Sequence, residues 1–133
     1  MELPALSKET HNSDKAVVNL EHARARLRSR AARSSPESLA GDLEAVRGLL
    51  DQGLTTEARS RLNSLLAQTR TQPVLLAQAR CALSIALEMQ GEYRESLEAV
   101  AMYEDPEARD KLDLTLSARL RVQIALAYNY NRD

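Results

Sequence analysis

Three stretches of the sequence decide the fold: LLDQGLTTEARSRL (residues 49–62), LEMQGEYRESLEAV (residues 87–100) and AYNYNRD (residues 127–133). In the first two, an apolar helical pattern ends at a glycine and a second helical pattern follows directly. The third ends a helix in a similar way and stops where the restart is expected. Recurrence of this kind predicts an all-α protein built from stacked antiparallel helical hairpins.

The composition agrees with an all-α fold. Hydrophobic residues make up 44% of the chain, but there is no Trp, no Phe and only four Tyr, so Leu and Ala must build the core. Such cores usually pack helix on helix. A net charge of −1 gives no global field that would attract nucleic acid or an anionic membrane.

Residues 1–14 are predicted to be a disordered tail, because they carry few large apolar groups. Residues 15–35 form a predicted basic helix, and residues 36–133 form the predicted repeat domain. The Arg residues between Arg24 and Arg33 could contact phosphates, but they lack the interleaved aromatic side chains that stack on bases. We therefore favour docking of this helix on the acidic region 88–113 of its own or a neighbouring chain, and we do not expect nucleic acid as a partner.

Helix starts in the repeat domain are marked by proline. Pro36, Pro73 and Pro106 stand at first helical positions, where the missing N–H has no cost. Thr55 or Thr56 is expected to cap the helix that follows Gly53. Residues 106–131 form either one long helix or a short helix followed by a second one capped at Asp113.

These features resemble the tetratricopeptide repeat (TPR) family, in which two helices cross at small residues, an aromatic follows the turn and Pro separates the repeats. The second repeat matches best, with Gly91, Tyr93 and the small residues Ser84 and Ser96 at the crossing. The turns at Gly53, Gly91 and Arg132 are 38 and 41 residues apart, whereas the family period is 34 residues. Extra residues are therefore expected between the hairpins.

The resemblance implies a TPR-like α-solenoid of about two and a half repeats, truncated at its C-terminus. Because the chain stops before the last return helix, we expect it to be the N-terminal part of a larger regulatory or assembly protein. The Ala, Arg and Leu content suggests a bacterial origin. The single Cys81 excludes an intrachain disulfide framework and fits a cytoplasmic location.

In the resemblance, ligands bind in a groove lined by the first helix of each hairpin. The groove residues carried over by position are predicted to contact a partner protein or peptide; they are Arg47, Leu50, Gln78, Ile85, Glu88, Met89, Arg119, Leu126, Asn129 and Tyr130. Leu43 and Arg47 stand where the chaperone-binding members carry Lys and Asn, so the two-carboxylate clamp of those members is absent.

Signals of catalysis are missing from the sequence. There is no Gly-rich phosphate loop, no pair of His ligands and no nucleophile elbow, so we expect no enzyme activity, no metal and no cofactor. Cys81 is interpreted as a small buried residue rather than a reactive thiol. No secretory signal and no segment long enough to span a membrane is present.

The function predicted from the sequence is that of a protein–protein interaction scaffold. The alternative is a structural module that forms a homo-oligomer through the open terminal helix, residues 114–130.

Overall fold

The computed structural model describes residues 19–24 and 35–132. It divides into two compact units, Met1–Ser35 and Pro36–Asp133, which we consider separately. In the first unit, residues 19–24 are helical. The predicted tail, residues 1–14, and most of the predicted basic helix, residues 15–35, lie outside the described residues.

The second unit consists of helices. They are α1 (Pro36–Asp51), α2 (Thr55–Gln68), α3 (Pro73–Met89), α4 (Tyr93–Val100), a 3₁₀ helix (Ala101–Glu104), α5 (Pro106–Asp110) and α6 (Leu114–Tyr130). The described residues contain no strand, so the all-α prediction is confirmed. Residues 106–131 form a short helix and then a second one, α5 and α6, rather than one long helix.

Local signals at the helix starts account for most of these bounds. α1, α3 and α5 begin at Pro36, Pro73 and Pro106, as predicted. The carboxylate of Asp113 accepts a hydrogen bond from the Leu116 N–H at 2.8 Å and caps α6. The predicted threonine cap of α2 is wrong. Leu54 occupies the capping position without a side-chain bond, and the Thr55 hydroxyl instead lies 3.3 Å from the Gly53 carbonyl oxygen.

Two of the three recurring turns have the same geometry. Gly53 and Gly91 have φ values of +77° and +76°, in the left-handed region that glycine adopts at low cost. At Gly91, the Gly91 N–H donates to the Glu88 carbonyl oxygen and the Glu92 N–H donates to that of Leu87, which is a Schellman motif. The third turn was expected to match, but Asn131 has a φ of −88° and no non-glycine residue described here has a positive φ.

α3 is the central helix of this unit. One hydrophobic cluster joins it to α1 and α2, and a second joins it to the 3₁₀ helix and α6. Ile85 packs against both clusters. α1 contacts α3, and α3 contacts α6. α3 therefore contacts both α1 and α6.

A buried polar network joins α3, α4 and α6. The Ser84 hydroxyl donates to the Ser96 carbonyl oxygen, and the Ser96 hydroxyl donates to that of Ser84, both at 2.8 Å. The Gln123 amide nitrogen donates to the Ser84 hydroxyl at 3.1 Å. Serine side chains are short, so these reciprocal bonds require the backbones of α3 and α4 to approach closely. This is the close crossing that the small residues Ser84 and Ser96 predict.

The end of α6 lies against the start of α4. The rings of Tyr93 and Tyr130 stack with centroids 4.7 Å apart, and the Asn131 side-chain amide donates to the Tyr93 carbonyl oxygen at 2.8 Å. Tyr128 donates a hydrogen bond to Glu104. Tyr93 is the aromatic residue that follows the Gly91 turn, as in the family pattern. Its side chain is partly exposed and stacks on α6.

We predict that Gly91→Ala lowers the free energy of unfolding by about 1–2 kcal/mol, the cost of a left-handed conformation in an L-residue. No atom lies within 4 Å of the added Cβ, so the loss reports backbone conformation and not a clash. Urea denaturation followed by circular dichroism measures it.

Gly41→Ala is the matched control. Its added Cβ also has no atom within 4 Å, but Gly41 lies inside α1 without a positive φ. This variant should raise the free energy of unfolding by about 0.5–1 kcal/mol. Effects of the same sign in both variants would contradict the left-handed assignment of Gly91.

Candidate functional site

Helices α1, α3 and α6 line two adjoining pockets, which we call the groove. The first has a volume of about 190 Å³ and is lined mainly by α1 and α3; the second, about 730 Å³, lies between α3 and α6. Arg47, Cys81, Ile85 and Arg119 line both pockets, so the two are continuous. The full lining comprises Ala40, Leu43, Glu44, Arg47, Leu50, Gln78, Cys81, Ala82, Ile85, Leu114, Thr115, Leu116, Ala118, Arg119, Val122 and Gln123.

Helical spacing places these residues on one face of each helix. On α3, Gln78, Cys81 and Ile85 follow one another at intervals of three and four. On α6, Thr115, Arg119 and Val122 do the same. Neither α2 nor α4 contributes a lining residue to these pockets. The groove is therefore formed by α1, α3 and α6 alone among the helices described here.

The groove combines an apolar surface with two cations. Arg47 forms an ion pair with Glu44 one turn earlier on α1, with 3.3 Å between Nη1 and Oε1. Both side chains are at least half exposed, so this pair is weak. Arg119 is exposed and has no hydrogen-bond or ion-pair partner in the part of the chain that the structure describes.

Cys81 lines both pockets together with these two cations and is 8% exposed. Burial raises the pKa of its thiol above the ordinary value, while the charges of Arg119 and Arg47 lower it in part. Desolvation dominates, so the thiol is protonated at neutral pH. This agrees with its interpretation as a small buried residue.

Five of the ten residues predicted to contact a partner line the groove: Arg47, Leu50, Gln78, Ile85 and Arg119. The other five, Glu88, Met89, Leu126, Asn129 and Tyr130, do not line either pocket. Tyr130 is placed elsewhere by its stack on Tyr93, and Glu88 accepts a hydrogen bond from Gln123 at 3.4 Å. A role in partner binding remains a prediction for all ten.

Several lining residues were absent from the predicted set. Glu44 lies three residues before Arg47, and Thr115 and Gln123 lie four residues on either side of Arg119. Helical spacing from the two arginines would have found them. Leu114 and Ala118 carry no such signal, because their position depends on where α6 begins.

The described residues contain no group of three or more His, Cys, Asp or Glu side chains that could hold a metal ion. Within the same residues, no helix has the length and apolar character needed to cross a bilayer.

No family model, curated protein or solved structure matches this chain. The resemblance to the TPR family consequently depends on the residues quoted above, and the functional argument depends on the groove.

We predict that the alkylation rate of Cys81 by iodoacetamide has its inflection at a pH above that of an ordinary thiol, because burial opposes formation of the thiolate. Cys81 is the single cysteine, so the rate of adduct formation, measured by mass spectrometry, reports this position alone. The chain unfolded in urea should show the ordinary inflection.

Arg119→Gln provides a second comparison. Removal of a cation that favours the thiolate should move the inflection to still higher pH. An inflection below the ordinary value in the unsubstituted folded chain would show a reactive thiol and contradict the assignment.

Proposed function

We propose that residues 36–133 form a TPR-like protein-interaction module that holds an extended or helical peptide of a partner protein in the groove. The observation that carries the proposal is the continuous surface shared by α1, α3 and α6, with Ile85 at its centre. A mixed surface of aliphatic side chains, amides and a few charges is typical of peptide recognition through hydrophobic anchors.

The size of the first pocket supports a peptide side chain as its occupant. A pocket of about 190 Å³ lined by Leu43, Ala82 and Ile85 has room for an aliphatic side chain. The wider space beside α6 then accommodates the peptide backbone.

The proposal predicts that peptides selected from a random display library on the immobilised chain bind through α6. Val122 is 59% exposed and lines the groove, so Val122→Gln should weaken the selected peptides by about tenfold without disturbing the core. Fluorescence anisotropy with synthetic copies of those peptides measures the change.

Val74→Gln is the matched control, because Val74 is also an exposed valine (39%), lies on α3 and does not line the groove. Its affinity should stay within about twofold of the original chain. Equal losses in the two variants, or failure to select any peptide, would refute binding in the groove.

A second candidate function is self-association through α6, favoured by one observation. Leu114 is 89% exposed, and Val122 and Leu126 are also exposed large apolar residues on the same helix. Together with Ala118 they recur every four residues and form an apolar stripe on α6. Such a stripe is an interaction surface when another copy covers it.

Self-association predicts a concentration-dependent mass in sedimentation velocity up to about 100 μM chain. Leu126→Glu should weaken the assembly because it places a charge in the stripe.

Ile124→Glu is a poorer test of self-association, because Ile124 packs against the core and its substitution would also disturb the fold. Ser60→Glu, an exposed change on α2 with the same added charge, should leave the mass distribution unchanged. A monomer throughout this range would exclude the second function.

A further inference from the structure

The two arginines of the groove differ in their ion-pair partners. Arg47 has a weak exposed partner in Glu44, whereas Arg119 has none among residues 19–24 and 35–132. Both line both pockets and both act electrostatically on Cys81, so two positive charges border the same apolar surface. Glu44 is the single anionic residue of the lining. The groove is thus locally cationic, whereas residues 36–133 as a whole carry eleven basic and fifteen acidic residues.

We propose that the partner segment is acidic: it places an aliphatic side chain in the pocket between α1 and α3 and a carboxylate against Arg119. This inference rests on the proposed peptide-binding function and names the chemistry of the peptide. A guanidinium group pairs with a carboxylate through charge-assisted hydrogen bonds, and the adjoining apolar wall of Val122 and Ile85 reduces competition from water.

Two other anionic partners fit the groove less well. A nucleic acid strand requires aromatic surfaces on which bases stack, and no aromatic residue lines the groove. An anionic membrane surface requires a broad basic patch, whereas the groove offers two arginines within a net acidic unit. An acidic peptide with an aliphatic anchor uses both the charges and the apolar pocket.

Glu44 supplies an internal competitor for the same charge. Its side chain is 75% exposed and its Oε1 lies 3.3 Å from Arg47 Nη1, so a ligand carboxylate can replace it at little cost. Glu44→Gln should therefore tighten binding of an acidic peptide, because it frees Arg47 and removes a repulsive charge. The ion pair on α1 tunes the groove rather than stabilising the fold.

The test uses three fluorescein-labelled decapeptide pools that are randomised over Leu, Ala, Ser and one variable residue, which is Glu, Gln or Lys. Anisotropy titrations with the full chain should show the Glu pool binding about fivefold or more tighter than the Gln pool, and the Lys pool weakest. Arg119→Gln should abolish the difference between the Glu and Gln pools. Arg121→Gln, which removes an equal charge from α6 outside the groove, should preserve it.

The alkylation rate of Cys81 gives an independent measure of where the peptide binds. Saturating Glu pool should slow alkylation of this groove-lining thiol in the unsubstituted chain. If the Glu and Gln pools bind equally and both lose affinity with Val122→Gln, peptide binding stands and the acidic preference is wrong. A preference that survives Arg119→Gln, tighter binding of the Lys pool, absence of Cys81 protection, or binding of none of the pools would each overturn the inference. Peptide binding in general is judged separately by the display selection.

Discussion

Helix α3 packs against other helices on opposite sides, and the rest of the unit depends on this constraint. Its buried residues are Ala77, Ala79, Cys81, Ala82, Ser84, Ala86 and Leu87, of which all but Leu87 are small. Small side chains let neighbouring helices approach closely, and Ala loses no rotamer freedom on folding. A chain without Trp or Phe can therefore close two hydrophobic clusters, because a single helix serves both.

The same arrangement creates the groove. α1 and α6 both contact α3, so the face of α3 between them carries Gln78, Cys81 and Ile85 as a floor that the other two helices border. Cys81 and Ile85 also belong to the packed clusters. The groove lining and the core thus share these residues, which explains why the Cys81 thiol is buried although it lines a pocket.

Sequence reasoning identified most of the local features, with the threonine cap of α2 as the exception. Proline starts and the Gly53 and Gly91 turns follow from backbone geometry within a few residues, and they were predicted. The groove positions Arg47, Leu50, Gln78 and Ile85 came from the resemblance to the TPR family, and these residues line the first pocket. Leu126, Asn129 and Tyr130, on the C-terminal half of α6, do not line the pockets; the Tyr93–Tyr130 stack, a contact between residues distant in sequence, holds that end against α4. The repeat spacing predicted extra residues before α6 but could not fix how they fold.

The position of Arg119 beside the groove depends on a hydrogen bond in the core. Arg119 lies one turn before Gln123, and the Gln123 amide nitrogen is buried where it donates to Ser84 and Glu88 on α3. Rotation of α6 would leave this amide unsatisfied at a cost of about 1–3 kcal/mol, so the network holds α6 in one orientation. Because Ser84 is itself bonded to Ser96 on α4, three helices together fix which face of α6 borders the groove. The position of Arg119 on that face is therefore a property of the packed unit rather than of α6 alone.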